Sequence, residues 1–170
     1  MWVESYIIPT VKKRCILTVS MEQISLTVQF ARLDEGAILP TQGSALAAGW
    51  DMYALEDTVV PKGSSVLIRT GWAAAIPEGW EGQLRCRSSL GKKGMIMPNG
   101  IGTIDADYRG ELMVLATWIG QGESFSIAAG ERVAQMLFAQ VPKVTLVETT
   151  MDHLRDTERG EGGFGSSGQF

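Results

Sequence analysis

From residue 25 onward the chain alternates apolar and polar residues in short runs, and each run is closed by a cluster of turn formers. In Ser25 to Phe30, Leu26, Val28 and Phe30 share one face while Thr27 and Gln29 take the other, which predicts a half-buried strand. Similar runs follow at Thr58 to Pro61, Ser65 to Arg69, Gly82 to Cys86, Met95 to Met97, Glu111 to Trp118, Phe125 to Ala128, Arg132 to Ala139 and Val144 to Glu148. Between them stand Pro61-Lys62-Gly63, Pro77-Glu78-Gly79, Pro98-Asn99-Gly100, Gly120-Gln121-Gly122 and Ala129-Gly130, whose backbone preferences reverse the chain. Many short strands with such punctuation predict an all-β sandwich, jelly roll or barrel. Helical turns are expected only near Ser88 to Lys93 and Met151 to Arg155. Glu111 to Ile119 is apolar on both faces, so it belongs between two sheets or against another subunit.

At 170 residues the chain suits one compact domain. A net charge of −4 and no basic run longer than Lys12-Lys13-Arg14 argue against a nucleic-acid polymer as partner. A single nucleotide needs only a few guanidiniums, backbone N–H groups and a metal ion. Cys15 and Cys86 lie far apart and His153 is the one histidine, which leaves no zinc or disulfide framework. No apolar stretch reaches bilayer length, so a soluble cytoplasmic protein without a membrane partner is expected. We divide the chain into an N-terminal extension at 1–23, a β domain at 24–150 and a C-terminal arm at 151–170. The extension reads as loosely docked or disordered, or as an upstream start with Met21 as the initiator.

Five segments carry side chains suited to chemistry. Ala48-Gly-Trp-Asp-Met-Tyr53 places Asp51 in an apolar run, where a buried carboxylate needs a partner, Arg87 being one candidate. Arg87-Ser88-Ser89-Leu-Gly-Lys-Lys-Gly94 offers a guanidinium, hydroxyls and N–H groups to an anion. Gly102-Thr-Ile-Asp-Ala-Asp-Tyr-Arg-Gly110 holds Asp105 and Asp107 two apart; they share a side if the backbone is extended and diverge in a turn. Gly130-Glu-Arg-Val-Ala-Gln-Met136 puts Gln135 on the same strand face as Val133 and Leu137. The last, Arg159-Gly-Glu-Gly-Gly-Phe-Gly-Ser-Ser-Gly168, is too glycine-rich for a core but joins a planar cation to a stacking ring. Taken singly, each is as well explained by solvated turns, a satisfied core amide or a linker tail.

In their order and spacing, however, the five segments resemble the five motifs of the trimeric dUTPase family, over residues 25–168. The resemblance implies a β jelly roll of β-clip type, assembled as a homotrimer with active sites at subunit interfaces and the 111–119 and 132–139 strands near the three-fold axis. It implies hydrolysis of dUTP to dUMP and pyrophosphate with Mg²⁺, held by the substrate phosphates and water rather than by a direct protein ligand. Asp105 matches the catalytic aspartate that activates water. Tyr108 matches the ring that packs against deoxyribose, Asn99 with the Thr103, Ile104 and Asp105 backbone the uracil-reading hairpin, and Met113 a position beside the nucleoside. Arg87, Ser88, Ser89 and Gln135 match the phosphate contacts, with Asp51 supporting. Arg159, Phe164, Gly165 and Ser166 match a tail that clamps the γ-phosphate and stacks on the base.

Two residues depart from the family pattern. Ser89 stands where glycine usually follows Arg-Ser, and Trp50 where tyrosine is usual. The alternatives are a dCTP deaminase or bifunctional deaminase and dUTPase of the same fold, and a nucleotide-sensing module without chemistry. Deaminases rely on a glutamate, whereas this chain has Asp105 with Tyr108 and a full tail.

Overall fold

The computed structural model describes residues 25–154 and 156–163. The described chain is all-β: β1 (Gln29–Arg32), β2 (Thr41–Gln42), β3 (Trp50–Tyr53), β4 (Thr58–Pro61), β5 (Ser65–Arg69), β6 (Trp72–Ala75) and β7 (Trp80–Cys86) precede a single helix, α1 (Ser88–Lys93). Then come β8 (Met95–Ile96), β9 (Gly102–Ile104), β10 (Met113–Trp118), β11 (Ser124–Ile127) and β12 (Arg132–Gln140), and a 3-10 turn at Met151–His153. The extension at 1–23, with Cys15 and Met21, lies outside the described residues, as do Arg155 and everything from Phe164 onward. None of the helices in the described residues is long and apolar enough to cross a membrane.

The strands form a jelly roll from four antiparallel sheets. The largest runs β2-β3-β12-β7-β9, the second β5-β10-β8, and two pairs, β1-β6 and β11-β4, complete the wall. One core joins them, with Met52, Leu84 and Met136 from the large sheet meeting Ile68, Val114 and Ala116 from the second and Val60 and Ile127 from the small pair. These side chains are at most 1% exposed, and each of the larger ones contributes roughly 1.5–3 kcal/mol by leaving water.

The alternation of Ser25 to Phe30 survives in burial, since Leu26, Val28 and Phe30 are half-buried between exposed neighbours, but ladder bonds to β6 begin only at Gln29. The short alanine-rich β6 and the aromatic β3 carry little alternation, which is why the pattern did not mark them. Val144 to Glu148 is no strand here: residues 141–150 form no ladder, and Val144, Leu146 and Val147 are 68, 92 and 80% exposed. Its β-branched composition finds no edge among the described residues, and a lone extended segment has nothing to bond.

The run at Glu111 also starts late, at Met113, because the two residues before it are bonded elsewhere. Leu112 N–H donates to Trp72 O at 2.7 Å, and Thr70 Oγ1 donates to Leu112 O at 2.5 Å. β10 is central in its sheet, as its two-faced apolarity requires: Val114, Ala116 and Trp118 face the core, while Met113 and Leu115 are half-buried on the other side. Leu112 itself is fully buried. Leu112→Ala should lower unfolding free energy by about 2–5 kcal/mol, read as a shift in the urea midpoint at unchanged slope.

Candidate active site

The described site residues fall into two groups on the large sheet. The first surrounds a cavity of about 330 Å³. Asn99 sits in the loop between β8 and β9, Thr103 and Ile104 are the end of β9, and Asp105 opens the turn that follows; these line the cavity with Tyr108 and Met113. Leu67, Leu84 and Leu115 supply its apolar wall, a lining typical of a nucleoside-sized site with few polar anchors.

The turn settles how the two aspartates relate. Tyr108 N–H donates to Asp105 O at 3.1 Å, and the Arg109 guanidinium closes the loop by donating to Ala106 O at 2.6 Å and Tyr108 O at 2.8 Å. Residues 105–108 are therefore a turn, so the two carboxylates diverge, and Asp105 lines the cavity while Asp107 does not. Both are exposed. Tyr108 is constrained at the hydroxyl end of its ring: the hydroxyl donates to Glu111 O at 3.0 Å, and that end lies over Gly110, where a Cβ would come within 2.6 Å of the ring carbon bearing the hydroxyl. Any larger residue at 110 would push the ring from this position.

The second group is built around Asp51 on β3, which is 8% exposed. Arg87 Nε lies 3.0 Å from Oδ1, and Arg132 Nη1 donates to Oδ2 at 3.2 Å. The Arg87 contact is a close charge pair rather than a directed hydrogen bond, because the Nε–H is not aimed at the oxygen. Arg87 Nη1 instead donates to Arg132 O at 3.2 Å. The pairing of Arg87 with Asp51 was legible in the sequence; Arg132 was missed. Its signal was its place just past the turn at Gly130, on the strand that pairs with Asp51's own.

Gln135 joins this group, directly opposite Asp51 on one side and Arg85 on the other. Its side chain packs so closely on Gly49 that a Cβ there would lie 2.9 Å from Oε1. One correction applies to its strand. The register of β12 against β3 shifts between Arg132 and Ala134, the mark of a bulge, and Val133 and Ala134 are both fully buried in the core. Val133 thus turns inward with Ala134 and does not share Gln135's side. Ser88 and Ser89 are exposed at the start of α1, beside Arg87. Cys86, half-buried on β7, has its thiol pKa pushed up by burial, so it stays a neutral thiol beside this charged group.

The two groups are not brought together within one chain. β9 pairs with β7 through Gly82↔Ile104, so Asp105 stands across from Glu81, while Ser88 begins α1 beyond the far end of β7. Ser88 is seven residue steps along the chain from Glu81, roughly 20 Å at the usual rise. Arg159 is exposed in a turn, with Nε donating to Gly162 O at 2.7 Å; Phe164, Gly165 and Ser166 lie outside the described residues. No cluster of three or more His, Cys, Asp or Glu side chains able to hold a metal occurs among the described residues. A larger groove of about 660 Å³, walled by Leu26, Phe30, Trp50, Trp80 and Phe138, has no ionisable group among the described residues that line it. Trp50 spends its ring there, 38% exposed.

All five segments fall within the span that a known family matches. The dUTPase family profile matches residues 35–168. The deoxyuridine 5'-triphosphate nucleotidohydrolase of Zymomonas mobilis subsp. mobilis is 42% identical over 148 residues, 85% of this chain and 99% of that protein. Among solved structures, Staphylococcus bacteriophage 80alpha dUTPase with dUpNHpp matches at a TM-score of 0.74 and 28% identity, covering 85% of this chain and 99% of that one. A mutant dUTPase from phage phi11 of S. aureus, described with a structural Mg(II) ion, matches at a TM-score of 0.65 and 25% identity over 72% of this chain and 97% of that one. With the family profile matching residues 35–168 and a relative 42% identical over 85% of the chain, the chain belongs to the dUTPase family.

Proposed function

We propose that this chain hydrolyses dUTP to dUMP and pyrophosphate, with Asp105 as the base. The observation that carries the reading is the cavity that sets the Asp105 carboxylate beside Tyr108, Asn99 and the exposed end of β9. A uracil edge meets the Asn99 hairpin and the β9 backbone, where fixed donors and acceptors reject a wrong base by leaving buried polar groups unpaired. The Tyr108 ring, seated on Gly110, packs against the sugar and leaves no space for a 2′-hydroxyl, with Met113 alongside the nucleoside.

Asp105 then accepts a proton from a water whose oxygen bonds to the α-phosphorus. The bond from that phosphorus to the bridging oxygen breaks, and pyrophosphate leaves with the electron pair. An exposed carboxylate suits this role, since water can reach it and a carboxylate oxygen can take the proton.

The phosphates need the second group. In-line attack requires reacting atoms within about 3–3.5 Å, yet Arg87, Ser88 and Ser89 stand roughly 20 Å along β7 from Asp105 and Gln135, opposite Arg85, roughly 13 Å along it. The reading is therefore a homotrimer in which one copy supplies the nucleoside cavity and another the phosphate contacts. Asp51 keeps the Arg87 guanidinium in place for them, and Ser89 adds a hydroxyl to that edge. Arg159 with Phe164, Gly165 and Ser166 closes over the γ-phosphate and base, excluding bulk water.

Mg²⁺ fits as an ion carried by the substrate: both Asp51 oxygens face arginines, and hard oxygen ligands come from the triphosphate and water. Bound there, it neutralises phosphate charge and polarises the phosphoryl groups.

Asp105→Asn should cut pyrophosphate release from dUTP by about 10²-fold or more while the protein still binds dUpNHpp; unchanged turnover removes Asp105 from this role. Chelating Mg²⁺ should abolish turnover, and dCTP, dTTP and UTP should be poor substrates. Ammonia released from dCTP would instead place the chain among deaminases. Asp51→Ala should raise KM for dUTP about tenfold through a misplaced Arg87, with less effect on kcat; equal losses in both would assign Asp51 a part in the chemical step.

A further inference from the structure

Glu111, which the five segments do not include, is bound more tightly than any other residue on the rim of the nucleoside cavity. Its Oε1 accepts a hydrogen bond from Gly71 N–H at 2.8 Å, its Oε2 accepts one from Arg69 Nε at 3.1 Å, and its backbone oxygen is the acceptor for the Tyr108 hydroxyl at 3.0 Å. The side chain is 15% exposed, and Arg69 is 41% exposed. One residue thus ties the turn between β5 and β6 to the ring that meets the sugar.

We propose that Glu111 is a positioning residue for dUTP-over-UTP selectivity, acting by fixing where the Tyr108 hydroxyl is anchored. The inference rests on the reading of Tyr108 as the group that packs against the sugar. Tyr108 has two constraints, the Gly110 backbone beneath its ring and the Glu111 carbonyl at its hydroxyl. The first limits how low the ring can lie, and the second limits how far it can swing. The carbonyl is held in turn by its own side chain, which satisfies an N–H that the β5–β6 turn leaves without a ladder partner.

Of the two side-chain contacts, the bond from Gly71 does the holding. The Arg69 pair is open to solvent, and exposed ion pairs contribute little, whereas an amide N–H left unmet in a buried turn is costly. Reach matters more than charge. Aspartate keeps the charge but is one methylene short of Gly71, while glutamine keeps the reach and presents an acceptor oxygen.

The test is kcat and KM with dUTP and with UTP for the wild type, Tyr108→Ala, Glu111→Ala, Glu111→Asp and Glu111→Gln. The ratio of kcat/KM for dUTP to that for UTP should fall about tenfold or more in Tyr108→Ala, Glu111→Ala and Glu111→Asp, and Glu111→Gln should restore it to within about threefold of the wild type. A merely structural loss lowers both substrates alike and leaves the ratio unchanged. If Glu111→Ala does not fold, Glu111→Asp gives the same reading. An unchanged ratio in Glu111→Asp beside a reduced one in Tyr108→Ala overturns the role of Glu111; an unchanged ratio in Tyr108→Ala overturns the reading of Tyr108 itself.

Discussion

The site depends on β7 being bonded along both edges. β12 pairs with it from Cys86 to Trp80, and β9 pairs with it from Gly82 to Leu84. A strand fixed on both sides has no freedom to slip, and a slip of one residue would send every side chain to the opposite face. The nucleoside cavity hangs from the β9 edge. The arginine and serines of the phosphate group leave from the C-terminal end of the same strand, and Gln135 faces it from β12. One rigid element thus sets the positions of both groups and also keeps them apart.

The phosphate group shows why a buried charge can be retained without being a stabilising feature. Asp51 is 8% exposed between two arginines, and the desolvation of such ions roughly offsets their attraction. What the arrangement supplies is orientation: a guanidinium on a flexible stem is held at one place by a carboxylate that belongs to a central strand. The bulge at Val133 serves the same end, since it lets Arg132 reach Asp51 while Val133 and Ala134 stay in the core. Functional groups held by supporting contacts of this sort lose less entropy when they meet an anion.

The cavity follows a different rule. Its wall is leucine from β5, β7 and β10, which shapes the space, while the polar groups at its rim do the pairing. Backbone atoms do much of the holding, from the Asp105 to Tyr108 turn to the carbonyl that receives the Tyr108 hydroxyl. Close approach of that ring to the chain demands Gly110.

Period-2 burial and turn residues are local properties, and they sufficed for the all-β class, for β4, β5 and α1 to the residue, and for the segments that bear the chemistry. The pairing of Arg87 with Asp51 was legible as a chemical need, because a carboxylate in an apolar run must find a cation. Arg132 and Glu111 were not legible: each is an ordinary charged residue beside a turn, and its importance comes from a partner that is 81 or 40 positions away in sequence. Val144 to Glu148 erred the other way, having strand composition without an edge to join. By itself the sequence determined which residues prefer strand, turn or core and which carry reactive groups, since these depend on side-chain chemistry and near neighbours. Only the tertiary structure decided which of those groups share a site, because strand register, not sequence distance, fixes what lies opposite what.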